Sequence, residues 1–319
     1  MIVNLLKCLE ETIYKTSIRD LNFFLKSWEK KGVTKWIICS DYCLNDCKKL
    51  YNAFTFTLIP YIINFDELKE IIKEFAPKDL KEIKSIHSNF HKFIKNGFCF
   101  NFTFIIHKDK EHIMYNVEKD IYIDSFNGLI KDLKLWIKNT PTQKDYYKEI
   151  IKKINICKKD LTRTNFNKTL YSNIMFTNFL AAYISYLITK KCKVKPEIIG
   201  WFSDRDNMTT YKNLGLIFDL YYLNFHNLCA KYKVDNSYIK IAFGDCNPGE
   251  KFMWYDEMLR FSDYLSGALA GRNYISATPD KYDELFEQSI ANNKFISIIY
   301  INKENNGVSA ARVKVTLKK

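Results

Sequence analysis

Apolar and polar positions follow two different periods in the first sixty residues. Over residues 1–31, apolar side chains recur at near-helical spacing until Gly32 ends the pattern. From Lys35 the pattern is typical of strands, in the segments KWIICSD and AFTFTLIPY, which are rich in β-branched and aromatic residues. The turn-rich segment YCLNDCKK joins them. The sequence therefore predicts an N-terminal helical extension over residues 1–34, followed by a β-hairpin.

The rest of the chain alternates between the two periods. Helices are predicted over 64–75, 167–191, 213–232 and 256–271, and strands over 98–107, 197–203, 237–245 and 295–302. Residues 115–165 mix the strand-like DIYID with lysine-rich helical segments, and the last residues read as a basic tail. Interleaved strands and helices indicate an α/β fold with a mixed sheet flanked by helices. We expect one domain over 35–319, with insertions and a C-terminal strand.

Composition indicates a folded intracellular protein. Hydrophobic residues make up 47% and aromatic residues 16% of the 319 residues, which is enough apolar surface to form a core. The most apolar stretch, FLAAYISYLIT, is too short to cross a bilayer, and Glu10 and Glu11 interrupt any signal peptide. The nine cysteines lack the paired spacing of a disulfide framework. We expect free thiols, a cytoplasmic location and no membrane partner.

The net charge of +13 favours a polyanionic partner, because lysines and arginines neutralise phosphates and release counterions. Lysine is abundant along the whole chain and forms no run of five basic residues, so the charge marks no particular patch. Nucleic acid is the expected partner on this ground.

Carboxylates stand where an α/β fold could gather them. Asp41 ends the first predicted strand, and Asp204 and Asp206 follow the strand EIIGWFS. Asp263 lies on an otherwise apolar helix face, where a carboxylate requires a metal, a backbone amide or a base as partner. If the two strand ends meet at one sheet edge, the three positions converge into a site whose oxygens suit Mg²⁺ or Mn²⁺.

Each candidate also has a structural interpretation. Asp41 could form a turn, Asp204 or Asp206 could cap the next segment, and Asp263 could pair with Arg260. On an extended segment Asp204 and Asp206 would face the same side, so either could be the ligand.

Two further sets of polar residues occur on predicted helical or loop segments. Glu82 and Lys84 could lie on a solvated face. His87 and His91 are four residues apart, but no HExxH motif follows, so they are expected to be solvated or partly packed.

Three segments carry a resemblance to a known family. The segment IICSDYCLNDCKKLYNAFTFTLIPY resembles the opening hairpin of uncharacterised bacterial ribonuclease-H-like proteins of the retroviral-integrase superfamily, which begin with an Asp-Glu-Ser-Gly strand end. The segment EIK at 82–84 is similar to their Glu-x-Lys, and LRFSDYLSGALAG is similar to their closing helix. The order and spacing of these segments match from about residue 35 to residue 271.

The resemblance implies a ribonuclease-H-like fold and a divalent-metal-dependent nuclease acting on DNA or RNA, in a bacterial defence or toxin system. It implies that Asp41, Asp204 or Asp206, and Asp263 bind Mg²⁺ or Mn²⁺. It further implies that Glu82 binds metal or orients water and that Lys84 contacts phosphate. The chain departs from the pattern, because Asp41 is followed by Tyr42-Cys43-Leu44 and not by Glu-Ser-Gly. The alternative is therefore a divergent, catalytically inactive module that binds nucleic acid or a protein partner.

Overall fold

A seven-stranded mixed sheet forms the centre of the protein. The computed structural model describes residues 2–108, 119–244, 252–271, 281–304 and 307–317. The strands are β1 (Lys35–Cys43), β2 (Tyr51–Pro60), β3 (Phe100–His107), β4 (Ile198–Ser203), β5 (Lys240–Phe243), β6 (Ile296–Glu304) and β7 (Gly307–Val313). Their spatial order is β5-β4-β1-β2-β3-β6-β7.

The sheet combines an antiparallel centre with parallel additions. Strands β1, β2 and β3 form an antiparallel meander, and β4 runs parallel to β1 on one side, with β5 parallel to β4. On the other side β6 runs parallel to β3, and β7 pairs antiparallel with β6. Because β1 and β4 are neighbours and parallel, their carboxyl ends lie at the same edge of the sheet.

Helices cover both faces of the sheet. They are α1 (Ile2–Thr16), α2 (Ile18–Glu29), α3 (Phe65–Phe75), α4 (Ser88–Lys95), α5 (Lys119–Asn139), α6 (Lys144–Leu161), α7 (Lys168–Lys191), α8 (Leu216–Lys231), α9 (Arg260–Gly271) and α10 (Lys281–Glu284), followed by a π-helical turn (Leu285–Ile290). Helices α1, α2 and α5–α8 share one core with the first sheet face, and α3, α4 and α9 share a second core with the opposite face. The protein is thus a three-layer α/β structure.

The N-terminal helices belong to the first core. Phe24 of α2 is fully buried, with ring centroids 6.0 Å from Trp36 of β1 and 5.7 Å from Phe100 of β3. Ser17, between the two helices, hydrogen-bonds Ser297 of β6 at 2.7 Å. The segment predicted as an extension therefore packs directly on the sheet.

Two segments differ from the sequence-based expectation. The described part of 115–165 is helical, and the strand-like DIYID lies inside α5, where Tyr122, Phe126, Leu129 and Leu133 form its buried stripe at helical spacing. The expected basic tail contains β7, a half-exposed edge strand whose residues show no apolar alternation. The start of 115–165, the last residue of the strand predicted over 237–245, and Cys246 lie outside the described residues.

The prediction of a core helix is confirmed, because the apolar segment at 179–189 lies within the buried helix α7. The described cysteines are free thiols. Among the helices of the described residues, none is long and apolar enough to span a bilayer.

Candidate active site

Asp41 and Asp204 lie side by side at the carboxyl edge of the sheet. Strands β1 and β4 pair in parallel up to Ser40 and Ser203, and the backbone N–H of Asp204 donates to the Ser40 carbonyl at 2.9 Å. The residue after each of these serines is an aspartate: Asp41 follows Ser40, and Asp204 follows Ser203. The parallel register, which the sequence suggests only through two apolar runs, is what makes them neighbours.

Asp263 approaches the same edge from helix α9. Side chains alternate along β1, so Asp41 shares a face with Ile37 and Cys39, which pack in the core that contains α9. Asp263 lies in the first turn of α9, and its Oδ2 accepts a hydrogen bond from the Leu80 backbone N–H at 2.7 Å. Of the partners that the sequence required for this carboxylate, the structure shows a backbone amide.

Burial and nearby acidic charges raise the pKa of all three carboxyl groups. Burial, followed by the charges of Asp204 and Asp263, raises the pKa of Asp41 well above its usual value. Burial, with added repulsion from Asp206, Asp263 and Asp79, raises the pKa of Asp204 to about 7. Burial raises the pKa of Asp263 to about 6, partly offset by the hydrogen bond from Leu80. Ionising these carboxyl groups where they lie is therefore unfavourable, and a bound cation would offset that cost.

Asp79 is an acidic neighbour that the sequence did not indicate. It precedes the 3-10 helix Leu80–Glu82, and its charge raises the pKa of Asp41, Asp204 and Asp263. Its carboxylate forms an ion pair with Arg260, the residue considered as a partner of Asp263. An Asp before a helical turn is a common cap, so the sequence gives no sign that Asp79 lies near the other acids. Its proximity to them follows from the packing of this loop on α9.

Glu82 and Lys84 are exposed in the loop that follows Asp79. The acidic group that this loop brings close to the other carboxylates is Asp79, three residues before Glu82. The structure therefore places neither the predicted water-orienting residue nor the predicted phosphate-binding residue in the group formed by Asp41, Asp204 and Asp263.

Asp206 differs from Asp204 because the chain turns after β4. Its Oδ1 accepts hydrogen bonds from the backbone N–H groups of Met208 at 2.8 Å and Thr209 at 3.0 Å. The segment after β4 is a turn and not an extended strand, so the alternation on which the sequence-based comparison of Asp204 and Asp206 rested does not apply. Asp206 caps the turn, and its charge raises the pKa of Asp204.

Tyr42, which stands where the resemblance expects a glutamate, faces away from Asp41. Its hydroxyl hydrogen-bonds Ser40 Oγ at 2.6 Å and Ser203 Oγ at 2.8 Å, and Trp201 donates to Ser40 Oγ at 2.8 Å. This network lies on the sheet face opposite α9. The presence of Tyr42 in place of the expected glutamate therefore changes the opposite face of the sheet and leaves the face that carries Asp41 as it was.

The two histidines have separate roles in the packing. His87 is exposed, and its Nδ1 accepts the Asn89 backbone N–H at the start of α4. His91 is buried and hydrogen-bonds Ser289 at 2.8 Å and Glu284 at 3.2 Å, and burial lowers its pKa. As expected, one histidine is solvated and the other packed.

The carboxylates do not form a preassembled metal centre. Within the described part of the chain, no group of three or more His, Cys, Asp or Glu side chains is placed to hold a metal ion. The charges of Asp204 and Asp263 raise the pKa of Asp41, and such interactions extend over longer distances than direct coordination.

Comparisons of the chain with protein-family models, with curated proteins and with solved structures give no match.

Proposed function

We propose that the chain carries a ribonuclease-H-like domain and acts as a divalent-metal-dependent nuclease, with Asp41, Asp204 and Asp263 at its centre. The observation that carries the proposal is the placement of Asp41 and Asp204 at the carboxyl ends of two paired parallel strands, with Asp263 close enough that its charge raises the pKa of both. Buried carboxyl groups whose pKa is raised by burial and by like charges nearby are typical of functional sites.

The fold is in keeping with this proposal. The antiparallel β1–β2 hairpin opens the sheet, and β4 follows parallel to β1 after a series of helices. Helix α9 packs across the edge where both strands end, and its first turn carries Asp263. Asp41, Asp204 and Asp263 are three of the four acids that the resemblance nominates, and the fourth, Glu82, is exposed in the loop after Asp79.

Mg²⁺ or Mn²⁺ fits the donor set, because all the candidate ligands are carboxylate oxygens. Mg²⁺ is usually held by one or two carboxylates, with waters and substrate phosphates completing its shell. A site without three preassembled ligands is compatible with this mode, in which Asp41 and Asp204 would hold the ion and the substrate would complete the shell. The ion would supply an activated water for phosphodiester hydrolysis.

A cleavage assay tests the proposal. Labelled single- and double-stranded DNA and RNA are incubated with the protein in Mg²⁺, Mn²⁺ or chelator. We expect metal-dependent cleavage that Asp204→Asn and Asp263→Asn together lower by at least about a hundredfold, because both remove charge that binds the ion.

The matched control is Asp145→Asn, which removes an aspartate whose side chain is 99% exposed. This variant should cleave like the unchanged protein. Equal cleavage by the double variant, with its fold intact by circular dichroism, would contradict the assignment of these residues.

The absence of a three-residue metal group among the described residues favours a second candidate, a module that binds nucleic acid without cutting it. This candidate predicts binding that weakens steeply with salt and persists in chelator, without product in any metal. The same set of substrates, measured for binding as well as cleavage, distinguishes the two.

A further inference from the structure

A cavity of about 380 Å³ lies at the sheet edge opposite the carboxylates, where β6 begins and β7 ends beside the junction of α1 and α2. Strands β1, β3 and β6 run in the same direction, because β3 is antiparallel to β2, β2 is antiparallel to β1, and β6 is parallel to β3. The start of β6 and the end of β1 are therefore separated by about the length of a nine-residue strand, roughly 25 Å.

The walls of this cavity are strongly basic. Among the described residues that line it, one is acidic, Asp20, and five are basic: Lys15, Arg19, Lys294, Arg312 and Lys314. Arg312 forms an ion pair with Asp20 at 3.0 Å, which leaves the four other cations in excess. Lys15 lies 3.8 Å from Glu11, but both side chains are more than half exposed, so this pair neutralises little of the charge.

Arg312 is a fixed hydrogen-bond donor in this group. Its side chain is 9% exposed, and its guanidinium donates to the Thr16 carbonyl and to the Asp20 carboxylate. A guanidinium carries further N–H groups in a planar fork that matches the oxygens of a phosphate. Because its two partners already hold the arginine in place, little side-chain entropy is lost when a ligand binds to it.

The other cations surround an apolar floor. The Lys294 ammonium lies 3.9 Å from the centre of the Phe23 ring, and Lys15, Arg19 and Lys314 are exposed and can turn toward a ligand. The floor consists of aliphatic side chains: Ile290, Ile296, Ile298, Val313 and Val315. An apolar floor lowers the local dielectric constant, which strengthens the attraction between the cations and an anion in the cavity.

The concentration of charge indicates which anion fits. A cavity of this size holds one small molecule. A single phosphate group carries at most about two negative charges at neutral pH, and a nucleic-acid strand carries one for each nucleotide. A diphosphate or triphosphate brings more charge into the same space, and it matches the excess of four cations best.

We propose that this cavity binds a diphosphate or triphosphate group, free or attached to a small molecule, with Arg312 as the fixed donor and the four excess cations around it. The distance along the sheet keeps such a ligand away from Asp41 and Asp204. The cavity is thus a binding site separate from the candidate active site, and its assignment does not rest on the proposed nuclease.

Inorganic pyrophosphate is the appropriate probe, because it presents the charged group alone. It is titrated by calorimetry into the full chain, in chelator and at physiological ionic strength, and phosphate, ADP and an oligonucleotide without terminal phosphates are tested as competitors. We expect saturable binding of pyrophosphate, with phosphate and the oligonucleotide at least about tenfold weaker as competitors. ADP that competes better than pyrophosphate would identify a nucleotide as the ligand, and ADP that competes equally would identify the phosphates alone.

The double variant Arg19→Gln, Lys314→Gln should weaken pyrophosphate binding at least about tenfold, because it removes two of the excess cations. Both side chains are exposed, so the fold should be kept, as circular dichroism would show. The matched control is Lys148→Gln, Lys152→Gln, which removes the same charge from exposed positions of α6 and should leave the affinity unchanged.

Absence of saturable pyrophosphate binding, phosphate binding as tight as that of pyrophosphate, or unchanged affinity in the Arg19 and Lys314 variant would each overturn the proposal. An equal loss in the α6 variant would also overturn it, because the binding would then follow net charge and not the cavity. Displacement of pyrophosphate by an equal concentration of the oligonucleotide would replace the proposal with a contact to a nucleic-acid backbone.

Discussion

At the scale of single residues, the site is characterised by the raised pKa values of three aspartates. Asp204 and Asp263 have pKa values of about 7 and about 6, and that of Asp41 is raised well above its usual range. Ionising Asp204 in the folded protein costs on the order of 4 kcal/mol, because each unit by which its pKa exceeds the usual value of 3.8 corresponds to about 1.4 kcal/mol. The protein keeps these acids together at a cost to its own stability.

The raised pKa values predict how stability depends on pH. The folded state binds more protons than the unfolded state between pH 3.8 and about 7, so the stabilisation is full below this window and is lost as pH rises through it. In chelator, the melting temperature of the unchanged protein should fall between pH 5 and pH 8. Asp204→Asn should flatten this fall and raise the melting temperature at pH 8, as measured by thermal unfolding.

The exposed control Asp145→Asn should give a curve parallel to that of the unchanged protein. Parallel curves for Asp204→Asn as well would show that the buried carboxyl does not set the pH dependence. Adding Mg²⁺ or Mn²⁺ at pH 8 should raise the melting temperature of the unchanged protein more than that of Asp204→Asn, because the ion binds the ionised carboxylate.

The sequence indicated three of the grouped acids and missed the fourth. Asp41 and Asp204 follow apolar strands and Asp263 interrupts an apolar helix face, so each breaks a local pattern. Asp79 breaks no pattern, and it joins them only because its loop packs on α9 through Arg260 and Leu80. Local sequence can reveal an unusual residue, but it contains no signal for an ordinary one brought in by tertiary contacts.

At the scale of elements, the end of β4 is held in place by a close contact from the segment before α9. Tyr255 is fully buried and donates its hydroxyl hydrogen to the Ser203 carbonyl, directly before Asp204, at 3.2 Å. A Cβ added to Gly244, at the end of β5, would lie 2.4 Å from the Tyr255 ring. Only glycine lets the two segments approach this closely.

Substitution of two glycines by alanine should therefore have opposite effects. Gly244→Ala should lower the free energy of unfolding by about 1–3 kcal/mol, because the ring of Tyr255 must move within a packed core. Gly128→Ala, in an exposed turn of α5 with nothing within 4 Å of the new Cβ, should raise it by about 0.5–1 kcal/mol through helix propensity. Denaturant titrations measure both values, and a gain in stability at Gly244 would contradict the contact.

The order of the elements was largely predictable, since most strands and helices have a clear apolar period. The exceptions have physical causes. DIYID in α5 alternates over five residues by chance, and only the longer spacing of Tyr122, Phe126 and Leu129 reveals the helix. β7 is an edge strand with little burial, so its sequence had no need of an apolar face.

At the scale of the whole molecule, the two N-terminal helices and the sheet share one core. Their buried side chains pack in the same core as strands β1 and β3, and Arg312 of β7 forms an ion pair with Asp20 of α2 at 3.0 Å. Burial of one large apolar side chain contributes about 1.5–3 kcal/mol, so these helices account for a large part of the expected stability.

Substitutions of two adjacent phenylalanines of α2 test whether this helix unfolds together with the sheet. Phe24→Ala should lower the free energy of unfolding by about 3–5 kcal/mol, because it opens a cavity between α2 and the sheet. Phe23→Ala, at a side chain that is 54% exposed, should cost about 1 kcal/mol or less. Denaturant titration followed by the fluorescence of the tryptophans, including Trp36 in β1, should show a single transition in both variants. Equal losses would show that α2 does not pack on the sheet as described.

At the carboxyl end of β1, the consecutive residues Asp41 and Tyr42 lie on opposite faces of the sheet. Asp41 shares the face of Ile37 and Cys39, which α9 covers, and the ring of Tyr42 packs against Phe54 and Phe56 on the opposite face. Side chains alternate with a period of two, so a slip of one residue in the register of β1 would exchange them: the phenol would enter the acidic group, and the carboxylate would enter the aromatic core. The register pairs Ser40 with Ser203 and Asp41 with Thr55, and this pairing keeps the carboxylate on one face of the sheet and the phenol on the other.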